Sequence, residues 1–204
     1  KGAYLDGRII RYFDGNDDYE VMSVDDMHLF GNHNYENVMA AIAMTIEAGV
    51  PLNIIINVIK DFMGVEHRIE YVRDKNGVTY YNDSKGTNPD SSIKALEAMS
   101  RPTILIAGGY DKHSEFDEFI EAFDNKVKLM VLLGQTADKI EETAVRHGFT
   151  NIIKTDSLEK AVKICAENAV SGDVVLLSPA CASWGMFKNY EERGKLFKEY
   201  VNSL

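Results

Sequence analysis

Leu176–Gly194, LLSPACASWGMFKNYEERG, is the stretch whose reading decides the fold. Its apolar start, extended upstream through Asp173, Val174 and Val175, reads as a buried strand. A turn of small residues follows, Ser178 to Ser183, and then an amphipathic helical pattern. Such a turn, at the carboxyl end of a parallel strand, is where open α/β sheets place their ligands. Small side chains let a substrate approach the backbone, and Ser178 and Ser183 can turn hydroxyls toward it. Taken alone, the stretch is more often a plain strand-to-helix connection.

Two other segments change that balance. Ile69–Val72 and Val78–Tyr81 form a hairpin-like pair joined by Asp74-Lys75-Asn76-Gly77, whose Asn-Gly step is a strong turn signal. Asn82-Asp83-Ser84-Lys85-Gly86-Thr87-Asn88 then leads into a helical run from Asp90. Polar groups between a strand exit and a helix entry suit an anion or a hydroxylated ligand, because free N–H groups point there. Turn capping by Asp83 and Thr87, with a solvated Lys85, accounts for the same pattern. In the second segment the apolar run Ile104–Ala107 ends in Gly108-Gly109 and then Tyr110-Asp111-Lys112. The glycine pair alone is common punctuation. In a doubly wound sheet the three exits converge at one edge, so Asp83, Lys85, Thr87, Lys112 and Ser183 are expected around one pocket.

The rest of the chain fits that frame. After the hairpin the pattern predicts helix 90–100, strand 103–107, helix 114–124, strand 127–133, helix 136–147, strand 151–154, helix 157–169, strand 173–178 and helix 187–202. That alternation predicts an α/β domain: a Rossmann-like, doubly wound, mostly parallel sheet with helices on both faces. Thr136 and Ser157 read as helix N-caps and Gly148 as a helix stop. Upstream, short strand-like runs (3–5, 8–13 and 20–23) precede helices over 34–48 and 52–62, a partial α+β unit. The pattern breaks over 65–69, which divides the chain into 1–67 and 68–204.

Composition bounds the partners. The net charge of −10 argues against a nucleic-acid backbone, so cations for anionic substrates must be local, at Lys85, Lys112 and Arg68. No apolar run approaches the roughly 20 residues of a membrane span. Cys165 and Cys181 have no metal-ligand spacing and read as reduced, intracellular thiols. The acidic turn Asp14-Gly15-Asn16-Asp17-Asp18 is too local to encircle an ion.

Asn82-Asp83-Ser84-Lys85-x-Thr87-Asn88, Gly108-Gly109-x-Asp111-Lys112 and Ser178-Pro179-Ala180-Cys181-Ala182-Ser183 with Phe187-Lys188-Asn189 resemble the C-terminal domain of the ATP-dependent Mur ligases of peptidoglycan synthesis. Their order is that of the members that add D-glutamate to UDP-N-acetylmuramoyl-L-alanine. Gly31-x-His33-Asn34-x-x-Asn37 and His67-Arg68-Ile69-Glu70 resemble the end of the family's central ATP-binding domain and the junction beyond it. The resemblance implies a cytoplasmic C–N ligase that forms an acyl phosphate with ATP and Mg2+ and then an amide. It casts Lys85 and Lys112 as catalytic lysines and places Lys112 and Ser183 on the D-glutamate carboxylates, with Thr87 and Tyr190 beside them. Asn34 and Asn37 are implied near adenine, Arg68 toward the phosphates and Asp83 toward ribose. No metal ligand is implied within this chain, and a monomer is expected. The sequence departs from the family at His113, where glycine is frequent, at Gly185, where a polar side chain is usual, and at Tyr190, where phenylalanine is common. Another Mur ligase, a folylpolyglutamate synthetase relative, or a non-catalytic Rossmann-like module stays open.

The chain holds no GxxxxGK[ST] sequence, so a backbone cradle for triphosphate is expected outside it. Purified residues 1–204 should therefore form no amide product when supplied with ATP, D-glutamate and UDP-N-acetylmuramoyl-L-alanine. Turnover in a phosphate-release assay would overturn that expectation.

Overall fold

Alternating burial along Ile9-Ile10-Arg11-Tyr12-Phe13 puts Ile10 and Tyr12 on one face of a strand and leaves Arg11 and Phe13 outward. This strand, β2 (Ile9–Phe13), lies between β1 (Gly2–Asp6) and β3 (Asp18–Ser23) in an antiparallel sheet. Helix α1 (Asn32–Glu47) places Val38 and Ile42, one turn apart, against that face, and α2 (Leu52–Asp61) adds Ile55. The computed structural model describes residues 1–204, and these elements make up its first unit, Lys1–Gly64.

The second unit, Val65–Leu204, holds the alternating elements. The strands are β4 (Glu70–Lys75), β5 (Val78–Asn82), β6 (Thr103–Ala107), β7 (Val127–Leu132), β8 (Ile152–Lys154) and β9 (Val174–Leu177). Their spatial order is β4-β5-β9-β6-β7-β8, parallel throughout except for the antiparallel β4–β5 hairpin. The helices are α3 (Pro89–Ala98), α4 (Asp117–Glu121), α5 (Ala137–Arg146), α6 (Leu158–Asn168) and α7 (Tyr190–Ser203). Both faces of the central strands are buried, which is why β6 and β9 read as unbroken apolar runs. Ile104, Ile106, Val175 and Leu177 share one core with Ala161, Val162 and Cys165 of α6 and Phe197 and Val201 of α7. Leu105 and Leu176, alternate residues of the same strands, and Met130 of β7 occupy the opposite face.

The expected α/β architecture is present, and its departures are local. The helix expected over 114–124 is only Asp117–Glu121. His113 upstream, with φ 61°, and Asp124 and Asn125 downstream, with φ 40° and 59°, are left-handed and bound it on both sides. Phe116, Phe119, Ile120 and Phe123 nevertheless bury the apolar face that suggested a longer helix. Helix α7 begins at Tyr190 because Asn189 caps it, its side chain accepting the Glu192 N–H at 2.8 Å. Ser157 caps α6 in the same way. Thr136 precedes α5 without a cap hydrogen bond, because its hydroxyl is engaged elsewhere.

One packing constraint ties α7 to the junction. His67 is buried at φ 66°, and its Nδ1 lies 2.9 Å from Asn82 Nδ2 at the end of β5. Its ring lies so close to α7 that a Cβ at Gly194 would overlap it. In an open helix Gly→Ala stabilises by about 1 kcal/mol, whereas overpacking costs about 1–3 kcal/mol. Gly194→Ala should therefore lower stability in urea denaturation, by up to about 2 kcal/mol. Adding His67→Ala should recover part of that loss; a stabilised Gly194→Ala would contradict the packing.

Candidate functional site

The sheet order decides where the three polar loops go. Strands β5, β9 and β6 are neighbours, with Asn82 opposite Leu177 and Leu177 opposite Ile106, so their carboxyl ends lie side by side. The backbone then continues across the gaps. Asp83 N–H donates to Leu177 O at 2.7 Å, and Ser178 N–H to Ile106 O at 3.2 Å. Gly108 N–H donates to Pro179 O at 2.8 Å, and Tyr110 N–H to Ala182 O at 2.9 Å. This close approach needs glycine: a Cβ at Gly108 would overlap the Leu133 carbonyl, and one at Gly109 the Ala182 carbonyl. Thr136 serves the same junction, its hydroxyl accepting the Gly109 N–H at 3.0 Å and meeting Cys181 Sγ at 3.2 Å.

Below the rim lies a buried polar network. Asp83 is 4% exposed. Its Oδ2 accepts the Ser178 hydroxyl at 2.7 Å and its Oδ1 the Ile69 N–H at 3.2 Å. Ser178 Oγ lies 2.8 Å from Ser92 Oγ on α3, which accepts the N–H of Ala180 at 3.0 Å. Ala180 itself has φ 57°, a left-handed conformation held in place by these contacts. Burial pushes the Asp83 carboxyl up to about 7, against the lowering effects of the Ser178 and Ile69 hydrogen bonds and the Arg68 and Arg193 charges. Arg193, 2% exposed, donates from Nε to Ser84 Oγ at 3.0 Å, from Nη2 to Ser84 O at 2.8 Å and from Nη1 to Cys181 O at 3.1 Å. Burial lowers its pKa to about 10, so it stays charged at neutral pH. Burial raises the Cys181 thiol to about 11, which keeps it protonated and a poor nucleophile.

The structure brings most of the expected residues to this edge, in different environments. Lys85 and Lys112 are exposed. The Lys85 ammonium lies 5.9 Å from the centre of the Tyr190 ring, and that of Lys112 lies 5.0 Å from the Trp184 ring. Tyr190 is fixed from behind, its carbonyl accepting the Ser84 hydroxyl at 2.8 Å. Thr87 is half-buried, with its N–H on Lys85 O at 2.8 Å. Ser183 is buried, its carbonyl accepting the Phe187 N–H at 3.0 Å. Asp83, expected toward ribose, is buried below the rim with both oxygens accepting from protein donors. Arg68 is exposed, its N–H on Val65 O at 3.1 Å. Asn34 and Asn37 lie on α1 in the first unit; Gly31, at φ 92°, occupies the cap position, and Asn34 Nδ2 donates to Phe30 O at 2.8 Å. His113, where the resemblance leads to an expectation of glycine, is left-handed at φ 61°, and its N–H bonds Asp111 Oδ1 at 2.7 Å.

Two features compete for attention and fail on chemistry. Glu66, His67 and Glu70 bring potential ligand atoms within 4.8 Å of one another. Lys198 Nζ already bonds Glu66 at 2.6 Å and Glu70 at 2.9 Å, supplying the positive charge a metal would bring. A groove of about 630 Å³ beside His67 and Tyr190 is lined by Glu66, Glu191, Glu192 and Glu199 against Lys195, an acidic balance that disfavours an anionic ligand.

With this geometry in place, similarity to known proteins narrows the field. The family described as "Mur ligase, glutamate ligase domain" matches residues 67–181. The chain belongs to the Mur ligase family. A curated relative, UDP-N-acetylmuramoylalanine–D-glutamate ligase of Lachnospira eligens, is 64% identical over 203 residues, which is 100% of this chain and 45% of that protein. The chain thus spans about half the length of the curated relatives it matches. Among solved structures, the UDP-N-acetylmuramate-alanine ligase of Thermotoga maritima superposes with TM-score 0.68 at 16% identity over 96% of this chain and 44% of its own. MurF ligase of Thermotoga maritima, solved with ADP, does so with TM-score 0.60 at 18% identity over 100% of this chain and 46% of its own. These likenesses establish the same fold for this Mur ligase chain.

The residues that sequence reasoning missed are Arg193 and Ser92. Both carry a signal in hindsight: Arg193 stands four and eight residues before Phe197 and Val201 on the buried face of α7, and Ser92 three and four before Ala95 and Leu96 on that of α3. A polar group at such a core position needs a partner.

The raised Asp83 pKa has a pH consequence. A carboxyl whose folded pKa lies above its unfolded value stabilises most below about pH 4 and loses that contribution as pH rises through about 7. The span is on the order of 4 kcal/mol. Asp83→Asn keeps an acceptor for Ile69 and a donor for Ser178 but cannot ionise. Its thermal stability should gain on the wild type between pH 5 and pH 8; parallel Tm profiles would contradict a protonated Asp83.

Proposed function

We propose that this chain is part of an ATP-dependent ligase joining D-glutamate to UDP-N-acetylmuramoyl-L-alanine in peptidoglycan precursor synthesis. The observation that carries the reading is the meeting of the β5, β9 and β6 exits, which puts Lys85 and Lys112, both exposed, on one edge of the sheet. The 64% identity to a relative bearing that activity points to the same substrates. Residues 1–67 are assigned to the end of the ATP-binding domain and 68–204 to the amino-acid-binding domain.

In the reaction, the γ-phosphoryl of ATP passes to the carboxylate of UDP-N-acetylmuramoyl-L-alanine, giving an acyl phosphate and ADP. The D-glutamate amine then attacks the acyl carbon, phosphate departs with the bonding pair of the broken C–O bond, and the new amide nitrogen loses a proton. The work of this chain is to fix the amine's carrier, since positioning replaces a bimolecular encounter by a held one. A lysine ammonium is suited to a carboxylate as a compact point charge. Lys112 and Ser183 are assigned to the D-glutamate carboxylates, with Thr87 and Tyr190 beside them and Lys85 toward the phosphates or a substrate carboxylate. Asn34, Asn37 and Arg68 are assigned to the nucleotide; MurF, which shares the fold, was solved with ADP. Asp83 and Asp111 accept internal N–H groups and Glu66 and Glu70 hold Lys198, so Mg2+ is assigned to residues outside this chain. No helix is long and apolar enough to cross a membrane, and a reaction consuming ATP and a nucleotide-linked precursor is placed in the cytoplasm.

Lys112→Ala in the full-length ligase should raise the KM for D-glutamate about ten- to a hundredfold, the value of a lost charge-assisted hydrogen bond. The KM for ATP should stay within about twofold on this reading, since the nucleotide is assigned to other residues. An unchanged D-glutamate KM, or equal rises for both substrates, would sink the assignment. An amino-acid panel on the same enzyme tests D-glutamate against other acceptors.

A further inference from the structure

We propose that Trp184 is a positioning residue whose ring face holds the Lys112 ammonium out at the rim, charged and unpaired, for the incoming amino acid's carboxylate. The inference rests on the reading of Lys112 given above and adds a residue that reading does not use. Trp184 is the chain's one tryptophan, and it is 54% exposed, an unusual place for the largest apolar side chain. Burial therefore does not explain it, but its neighbours do. The Lys112 ammonium sits 5.0 Å from the ring centre, and the Tyr110 ring stands edge-on to it with centroids 5.5 Å apart. Tyr110 and Lys112 come from the loop after β6, and Trp184 from the loop after β9. The two loops are joined by the Tyr110–Ala182 bridge two residues before Trp184. The platform is thus assembled from the same two exits that build the rim.

The choice of an aromatic partner matters chemically. Lys128, Lys139 and Lys154 of the same unit are paired with carboxylates, which neutralise them. Lys112 makes no such pair, and the nearby Asp111 carboxylate accepts the His113 N–H instead. A ring face attracts the ammonium through its quadrupole, restricting a flexible four-carbon stem without cancelling its charge. A carboxylate arriving later meets a preplaced cation rather than an occupied ion pair.

The test is a double-mutant cycle in the full-length ligase. Trp184→Leu should raise the D-glutamate KM about two- to fivefold, the value of an exposed cation–π contact, with kcat and the ATP KM unchanged. Trp184→Phe, which keeps a ring face, should recover most of that loss. In a Lys112→Ala background Trp184→Leu should add nothing. An equal effect of Trp184→Leu in both backgrounds would overturn the inference, since the ring would then act through the loop alone. No effect in the wild-type background would overturn it as well. If Lys112→Ala leaves the D-glutamate KM unchanged, the reading of Lys112 fails first and the inference falls with it.

Discussion

The rim depends on one buried guanidinium. Arg193 reaches from the first turn of α7 to Ser84 after β5 and Cys181 after β9, and all three of its contacts are to protein oxygens. A charge taken out of water is tolerated only when its donors are satisfied in good geometry. The planar fork of arginine suits this, because its donors diverge toward two loops at once, which a lysine ammonium matches poorly. Removing the guanidinium would leave buried oxygens unpaired, each costing on the order of 1–3 kcal/mol, since no water replaces it. That is a large part of a domain's net stability, so the loops and α7 are fixed as one body. Ser84, held by Arg193, in turn donates to the Tyr190 carbonyl, which sets the ring beneath Lys85.

Strain in the turn is carried by the same arrangement. Ala180 at φ 57° costs on the order of 1–3 kcal/mol relative to an ordinary backbone. A single neutral hydrogen bond contributes only about 0.5–1.5 kcal/mol net, so one contact does not hold that conformation. Three flank it: Ser92 on the Ala180 N–H, the Gly108 N–H on the Pro179 carbonyl, and Arg193 on the Cys181 carbonyl. Asp83 completes the set by taking the Ser178 hydroxyl, and its raised pKa is the electrostatic mark of being placed where water is excluded. Asp83 and Arg193, both buried, also favour each other's charged forms without touching.

The sheet was legible because its signals are periodic. Unbroken apolar runs at Ile104–Ala107 and Val174–Leu177 separated by helical spacing leave few alternatives to a parallel sheet. The convergence of three loops followed from topology alone, since it needs only that β5, β9 and β6 be neighbours. What the sequence hid was which polar residues face inward. Asp83 and Lys85 are two apart in a polar run, and nothing in their spacing says that one is buried and the other exposed. Thr136 looked like a cap because it precedes a helix, yet tertiary contact with Gly109 and Cys181 took its hydroxyl. The short α4 was misread for a related reason: apolar periodicity reports a buried face, whereas helix length is set by the left-handed residues on both sides.

The charge layout separates acids with local partners from cations without them. Glu191 and Glu192 sit in the first turn of α7, where free N–H groups favour negative charge, and the Glu192 carboxylate accepts the Lys188 N–H at 2.6 Å. Glu66 and Glu70 are drawn to Lys198. These acids therefore have local reasons for their positions and need no ligand to explain them. Lys85 and Lys112 have no such partner and stand over rings that leave their charge intact. In a chain of net charge −10, long-range attraction of an anion is weak or unfavourable, and salt screens what remains within about 8–10 Å. On the proposed reading, recognition of an acidic amino acid is then a short-range affair, decided by where two ammonium groups are held once the ligand has arrived.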